Sequence, residues 1–212
     1  MVDGRPLPER PEPVYLALNK PAGFVTTLRD PQARGTVRDF LPHGLAKVFP
    51  VGRLDIQSTG LLLLTNDGEL TARLTHPRHH VPRTYRVKVR GVPDQRALGR
   101  LRRGLQLQDG PTGPVQVVIE KTLPTKSWLC VTVYEGRTRL VRRLCDAIGH
   151  RAEKLQRVAI GPLELGKLTL GACRLLTPPE VRMLCRAVGL TPPAHRAGRG
   201  RSSLSGGRRR ER

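Results

Sequence analysis

The apolar positions of this chain form two kinds of run. Leu61–Leu64 is solid, four consecutive leucines with no polar residue among them. Tyr85, Val87 and Val89 instead alternate with Thr84, Arg86, Lys88 and Arg90. A short solid run bounded by turn residues predicts a strand buried on both faces. Strict alternation predicts a half-buried strand, here with a basic outer face. Val14–Leu18 is a further compact apolar strand, stopped by a turn over Asn19–Gly23 that carries Lys20. Phe24–Thr27 reads as another strand, and Thr36–Leu41 as a short helix with Thr36 near its start. Asn66-Asp67-Gly68 turns the chain into a short helix over Glu69–Leu74, which ends before His76-Pro77.

Farther on, Asp94–Arg103 predicts a helix carrying Leu98 and Leu101, Pro111–Pro114 a loop, and Val115–Ile119 and Leu129–Tyr134 two strands of a meander. Arg139–Ile148 predicts a helix with Leu140, Val141, Leu144, Cys145 and Ile148 on one stripe and Gly149 as the stop. Arg139, Arg142 and Arg143 then project beside or away from that stripe. The last helix is marked by Thr177 as N-cap, Pro178 in the first turn and Glu180 completing a capping box, with Val181, Leu184, Cys185 and Val188 as its apolar face. Strands in meander order with short helices predict an α+β fold: a mixed, mainly antiparallel central sheet in one compact, two-lobed domain over residues 14–192. Residues 1–13 read as an extended lead-in. Residues 193–212 read as a disordered tail, in which seven arginines and one glutamate stand among Gly and Ser.

Charge alters the picture more than length does. The 212 residues carry 38 Lys+Arg against 17 Asp+Glu, a formal net charge of +21. That balance points to a polyanion, nucleic acid before membrane, because each phosphate neutralised releases counterions. No lipidation motif, long basic amphipathic helix or apolar N-terminal segment supports a membrane or export reading. Cys130, Cys145, Cys173 and Cys185 are scattered without a CxxC pair, which favours buried free thiols in a reducing cytoplasm. His76, His79 and His80, among basic neighbours and a proline, read as a loop facing nucleic acid rather than a metal site.

Three stretches carry candidate chemistry: Gly52–Asp55, Arg83–Tyr85 and Glu135–Arg143. An Asp presented in a Gly- and Thr-rich turn, a Tyr on a basic strand and an Arg on a short helix are the parts of a carboxylate site. The Arg would keep the carboxylate ionised, the Tyr offers a ring to stack on a base and a hydroxyl to move protons, and the Asp is a nucleophile for an electron-poor carbon. Taken singly, Asp55 is also a turn cap, Tyr85 a core residue and Arg142 part of a solvated helix face.

The motifs taken together resemble a known family. Pro50-Val-Gly-Arg-Leu-Asp55 followed by Thr59 to Gly68, Tyr85 after Arg-Thr, Glu135-Gly-Arg through Val141-Arg-Arg143, Arg157 to Leu163, and Leu18-Asn-Lys-Pro-Ala-Gly23 resemble the RsuA/RluB/RluE/RluF family of ribosomal RNA pseudouridine synthases, over about Val14 to Leu190. The resemblance implies that fold and site-specific conversion of uridine to pseudouridine. Asp55 would be the nucleophile, Tyr85 would stack on the uracil and transfer protons, and Arg142 would pair with Asp55. Arg53, Leu155, Lys20, Arg83 and Arg139 would contact the substrate, Arg53 filling the space of a flipped base and Leu155 packing on it. No cofactor or metal is implied, and a cytoplasmic monomer acting on ribosomal RNA or an assembly intermediate is expected.

Wording around Leu16–Gly23 and Pro31–Leu41 is closer to RluB, which favours the large-subunit RNA over the small. A non-catalytic ribosome-assembly factor is the alternative from another class. Arg83 stands where Lys is frequent, and Leu140 where Gln is usual. Of the S4-type RNA-binding domain that many members carry, only Val2–Leu7 resembles a remnant, its closing segment.

Overall fold

A nine-stranded mixed sheet organises residues 11–42, 44 and 47–193, the ones described by this computed structural model. Its strands and those of a small separate hairpin are β1 (Tyr15–Lys20), β2 (Phe49–Pro50), β3 (Thr59–Thr65), β4 (Arg83–Arg90), β5 (Gln106–Leu107), β6 (Gly110–Pro111), β7 (Gln116–Leu123), β8 (Lys126–Val133), β9 (Ala152–Ile160), β10 (Leu163–Glu164) and β11 (Cys173–Leu175). Helices α1 (Gly68–Thr75), α2 (Gln95–Arg103), α3 (Leu140–Ala147) and α4 (Pro178–Ala187) flank them. The sheet runs β11-β1-β3-β9-β4-β8-β7, with β2 on β3 and β10 on β9, while β5 and β6 pair apart from it. Among the described strands only β3 and β9 are parallel neighbours. This is the mixed, mainly antiparallel α+β architecture expected.

The solid leucine run is buried on both faces. Leu61 and Leu63 join Tyr15, Ala17 and the inner faces of α1 and α4, whereas Leu62 and Leu64 join Leu16, Leu18, Val48 and Leu54 on the other side. The alternating strand behaves differently. Val87 and Val89 lie with Leu129 and Val131 under α2 and α3, while Arg86 and Arg90 face outward and are exposed. Three apolar clusters result, two on the opposite faces of β1 and β3 and one on the inner face of β4 and β8. The caps are local and hold as read: Thr177 and Glu180 form a capping box on α4, and Asp67 and Asp94 cap α1 and α2.

Several expectations are corrected. Asn19 and Lys20 are not a turn; they continue β1, paired with Leu61 and Gly60, and both are buried. Phe24–Thr27 is not a strand. It makes one isolated bridge, Val25 to Thr36, and Phe24 packs edge-on against Phe40 at 4.6 Å. Along its main path the sheet is not a meander beyond the β7–β8 hairpin, because β9 inserts between β3 and β4. That strand shows no alternating signal because its pairing with β4 shifts register twice, so Ala152, Leu155 and Ile160 do not fall at even spacing. Gly60 permits the insertion. Its φ is +106, and a Cβ there would collide with the Arg157 carbonyl.

Arg142 does not project away from the core, being 9% exposed and turned toward the Asp55 loop. Cys145 and Cys185 are buried thiols, while Cys130 and Cys173 are half-buried. The tail after residue 193 and lead-in residues 1–10 lie outside the described residues. Among the described residues, no helix is long and apolar enough to cross a membrane.

Candidate active site

Asp55 sits on the loop between β2 and β3, and the backbone of that loop is held from inside. The Lys20 ammonium, fully buried, donates to the carbonyl oxygens of Pro21, Asp55, Ile56 and Ser58 at 2.9, 3.2, 3.3 and 3.0 Å. Four acceptors around one ammonium draw the loop carbonyls inward and leave the Asp55 side chain to face out. Burial pushes the Lys20 pKa down to about 8, with the Asp55 charge opposing the shift. The Thr26 hydroxyl closes the other side, donating to Leu54 O at 2.7 Å and accepting from Leu54 N at 3.2 Å. Ser58 N donates to Asp55 O at 3.0 Å, which tightens the turn.

Two guanidiniums reach the carboxylate. Arg139 Nη1 lies 3.7 Å and Arg142 Nε 3.8 Å from Asp55 Oδ2. Arg142 is anchored by donating from Nη1 to Ala152 O at 3.2 Å, while its buried Nε has no hydrogen-bond partner in the structure. Burial and the neighbouring Arg139 charge lower its pKa, and Asp55 raises it; as an arginine it stays charged. Arg139 precedes α3 in the left-handed conformation, φ 52 and ψ 27, which directs it toward Asp55 rather than along the helix. α3 and the segment before it are pinned to the β5–β6 hairpin. Arg143 makes a bidentate pair with Asp109 at 2.8 and 3.0 Å, and Arg137 donates to Gly110 O at 3.0 Å and to Pro111 O. Hydrogen bonding from Arg143 holds the Asp109 carboxyl below its usual range.

Asp55 opens into a cleft of about 970 Å³. Of the eight residues expected at the site, six line it: Arg53, Asp55, Arg83, Tyr85, Arg139 and Leu155. Arg142 approaches Asp55 from beneath the lining. Lys20 does not line it: its side chain is fully buried beneath the Asp55 loop, and its contacts are with backbone carbonyls. Tyr85 stands on β4 directly across from Arg157, and Leu155 across from Val87. Arg83 is anchored by donating to Leu74 O at 3.1 Å, and burial lowers its pKa. Six arginines line the cleft against Asp30, Asp55 and Glu135, so it is cationic and suits a phosphate-bearing ligand. Asp30 is already engaged by Arg34 at 2.8 Å. Among the described residues no group of three His, Cys, Asp or Glu could hold a metal ion.

Three contributors escaped the sequence reading. Arg157 stood inside a quoted motif without a role; it is buried, lines the cleft and donates from Nε to Leu61 O at 2.8 Å. Asp109 had a weak signal, a lone acid in a turn ahead of an arginine-rich helix. Thr26 had none.

Residues 14–147 match the sequence profile of the family described as RNA pseudouridylate synthase. The chain belongs to this family. The synthase is 44% identical over 191 residues to an uncharacterized RNA pseudouridine synthase of Aquifex aeolicus, covering 89% of this chain and 76% of that protein. It is 42% identical over 179 residues to the ribosomal large subunit pseudouridine synthase B of Bacillus subtilis, covering 83% and 73%. A pseudouridylate synthase crystal structure superposes with a TM-score of 0.76 at 34% identity, over 84% of this chain and 76% of that one. Fold and enzyme class therefore agree: the synthase is an isomerase, and the Asp55 carboxylate lines its cationic cleft.

Proposed function

We propose that this synthase isomerises one specific uridine to pseudouridine in large-subunit ribosomal RNA. The observation that carries the reading is Asp55, held by its backbone at the bottom of a cationic cleft with guanidiniums 3.7 and 3.8 Å away. The choice of large-subunit RNA is supported by the name of the Bacillus subtilis relative. The target base is extruded from its stack to enter the cleft. Tyr85 stacks on it, Leu155 packs against it, and Arg53, exposed at the rim, fills the vacated space. Arg83 and Arg139 face the phosphates.

The chemistry balances without a redox partner. The bond from C1′ to N1 breaks, one from C1′ to C5 forms, C5 loses a proton and N1 gains one. Tyr85 is the proton-transfer group. Attack by Asp55 at C1′, attack at C6 and elimination to a glycal all use the Asp55 carboxylate at this position, where Arg142 and Arg139 approach it. In this reading residues 14–192 are the catalytic domain, and the enzyme works as a monomer in the cytoplasm.

The test is chemical mapping of pseudouridine along both ribosomal RNAs, from cells with and without the gene and from cells carrying Asp55→Asn. One large-subunit position should lose its signal without the gene and stay unmodified with Asp55→Asn. A small-subunit position in its place would overturn the substrate assignment. No change at any position would leave a ribosome-assembly factor as the reading.

A further inference from the structure

The face of β4, β8 and β7 turned away from the Asp55 cleft has no described element over it. Lys154, Lys88, Trp128 and Lys121 stand opposite one another on β9, β4, β8 and β7, one row across four strands. Lys121 and Lys154 are exposed, and Lys88 and Trp128 half-buried. Like charges placed directly across neighbouring strands, as Lys88 and Lys154 are, cost stability in an antiparallel pair. The acids nearby do not relieve this row: Glu120 is engaged by Arg86 at 2.6 Å, and Glu153 by Arg90 and Lys126 at 3.2 and 2.7 Å. Among the described residues, Lys88, Lys121 and Lys154 form no ion pair. Arg86 lies 5.4 Å over the Trp128 ring and Lys88 6.0 Å. Beside them Val118, opposite Cys130, is 56% exposed.

We propose that this face is a second RNA-binding surface, taking a single-stranded segment of the substrate RNA that passes behind the sheet. Strands are about 4.8 Å apart, so the row from Lys154 to Lys121 spans about 14 Å. That is room for consecutive backbone phosphates. A base from the segment stacks on the Arg86–Trp128 pair, since aromatic rings and guanidinium planes both serve as platforms for unpaired bases. An acidic protein partner is disfavoured, because the row offers a flat aromatic platform and three ammoniums but little apolar area. The proposal rests on RNA being the substrate, although the face itself makes no contact with Asp55.

Trp128 is the sole tryptophan of the chain, so its emission reports on this face alone. Titrating a uridine dodecamer into the full-length protein should quench it saturably, with weaker binding as salt rises. The variant Lys88→Gln/Lys121→Gln/Lys154→Gln should bind the dodecamer with a log–log salt slope shallower by about 2, because three phosphates are no longer neutralised. Trp128→Phe, followed by anisotropy of a labelled dodecamer, should weaken binding about five- to tenfold. Unchanged emission while the labelled dodecamer binds would overturn the proposal, as would an unaltered slope in the triple variant. Equal quenching by polyglutamate of matched charge would also overturn it, in favour of an acidic polypeptide. Asp55→Asn should quench as the unsubstituted protein does. If no pseudouridine forms in any RNA while the quench persists, the catalytic reading fails and the surface stands.

Discussion

On the β1–β3 half of the sheet both faces are covered, whereas on the β4–β8–β7 half one face is covered and the other is open and basic. The two halves serve the site differently. The Asp55 loop springs from the doubly covered half, where Lys20 and Thr26 clamp its backbone. Tyr85 comes from the half with one open face, where the same alternation that turns Tyr85 inward turns Arg86 and Lys88 outward. The Asp55 loop is thus set in the half covered on both faces, and the basic surface spreads over the half with one open face. β9 is the seam, with Leu155 and Arg157 lining the cleft between them.

The contrast breaks hardest at Gly60, where β3 meets the seam. Gly60→Ala should cost about 4 kcal/mol in urea unfolding, because both the left-handed φ and the Arg157 carbonyl forbid a Cβ. A loss below about 1 kcal/mol would show that β9 can step away and that the seam is soft. Within the covered half, Leu62→Ala should cost about 2–5 kcal/mol, because the cavity it leaves is closed on both sides.

Lys20 sharpens the comparison through pH. Its folded pKa of about 8 lies below its ordinary 10.5, so the unfolded chain holds the proton more tightly between those values. Deprotonation therefore favours the fold. The stability of the unsubstituted protein relative to Lys20→Met should rise from pH 8 toward pH 10.5 by as much as ~3 kcal/mol. A flat or falling difference would mean that the carbonyl cage keeps the ammonium as comfortable as water does. The smallest effect belongs to the open face. Lys154→Gln should change stability by no more than about 0.5 kcal/mol, and toward greater stability if the Lys88 repulsion is felt. A larger loss would mean that this face is structural.

Much of this molecule is local and could be read from neighbouring residues. The leucine run, the alternation after Arg83, the capping box at Thr177 and the turn presenting Asp55 depend on contacts within a few positions, and each stands in the structure as read. The candidate site residues Asp55, Tyr85 and Arg142 were legible because a recurring set of motifs marked them; no periodicity brings them together. What only the tertiary structure decided lies between segments distant in the chain. It set β9 into the sheet beside β3, where double register shifts hid its pattern. It turned Arg142 inward to Asp55 although its helix face looked solvated, and it drew Lys20 out of an apparent turn into a cage of carbonyls. Burial of a charge is decided by where the partner groups arrive, and those partners come from segments that the order of the strands, not the spacing of residues, brings within 3–4 Å of Asp55 and Lys20.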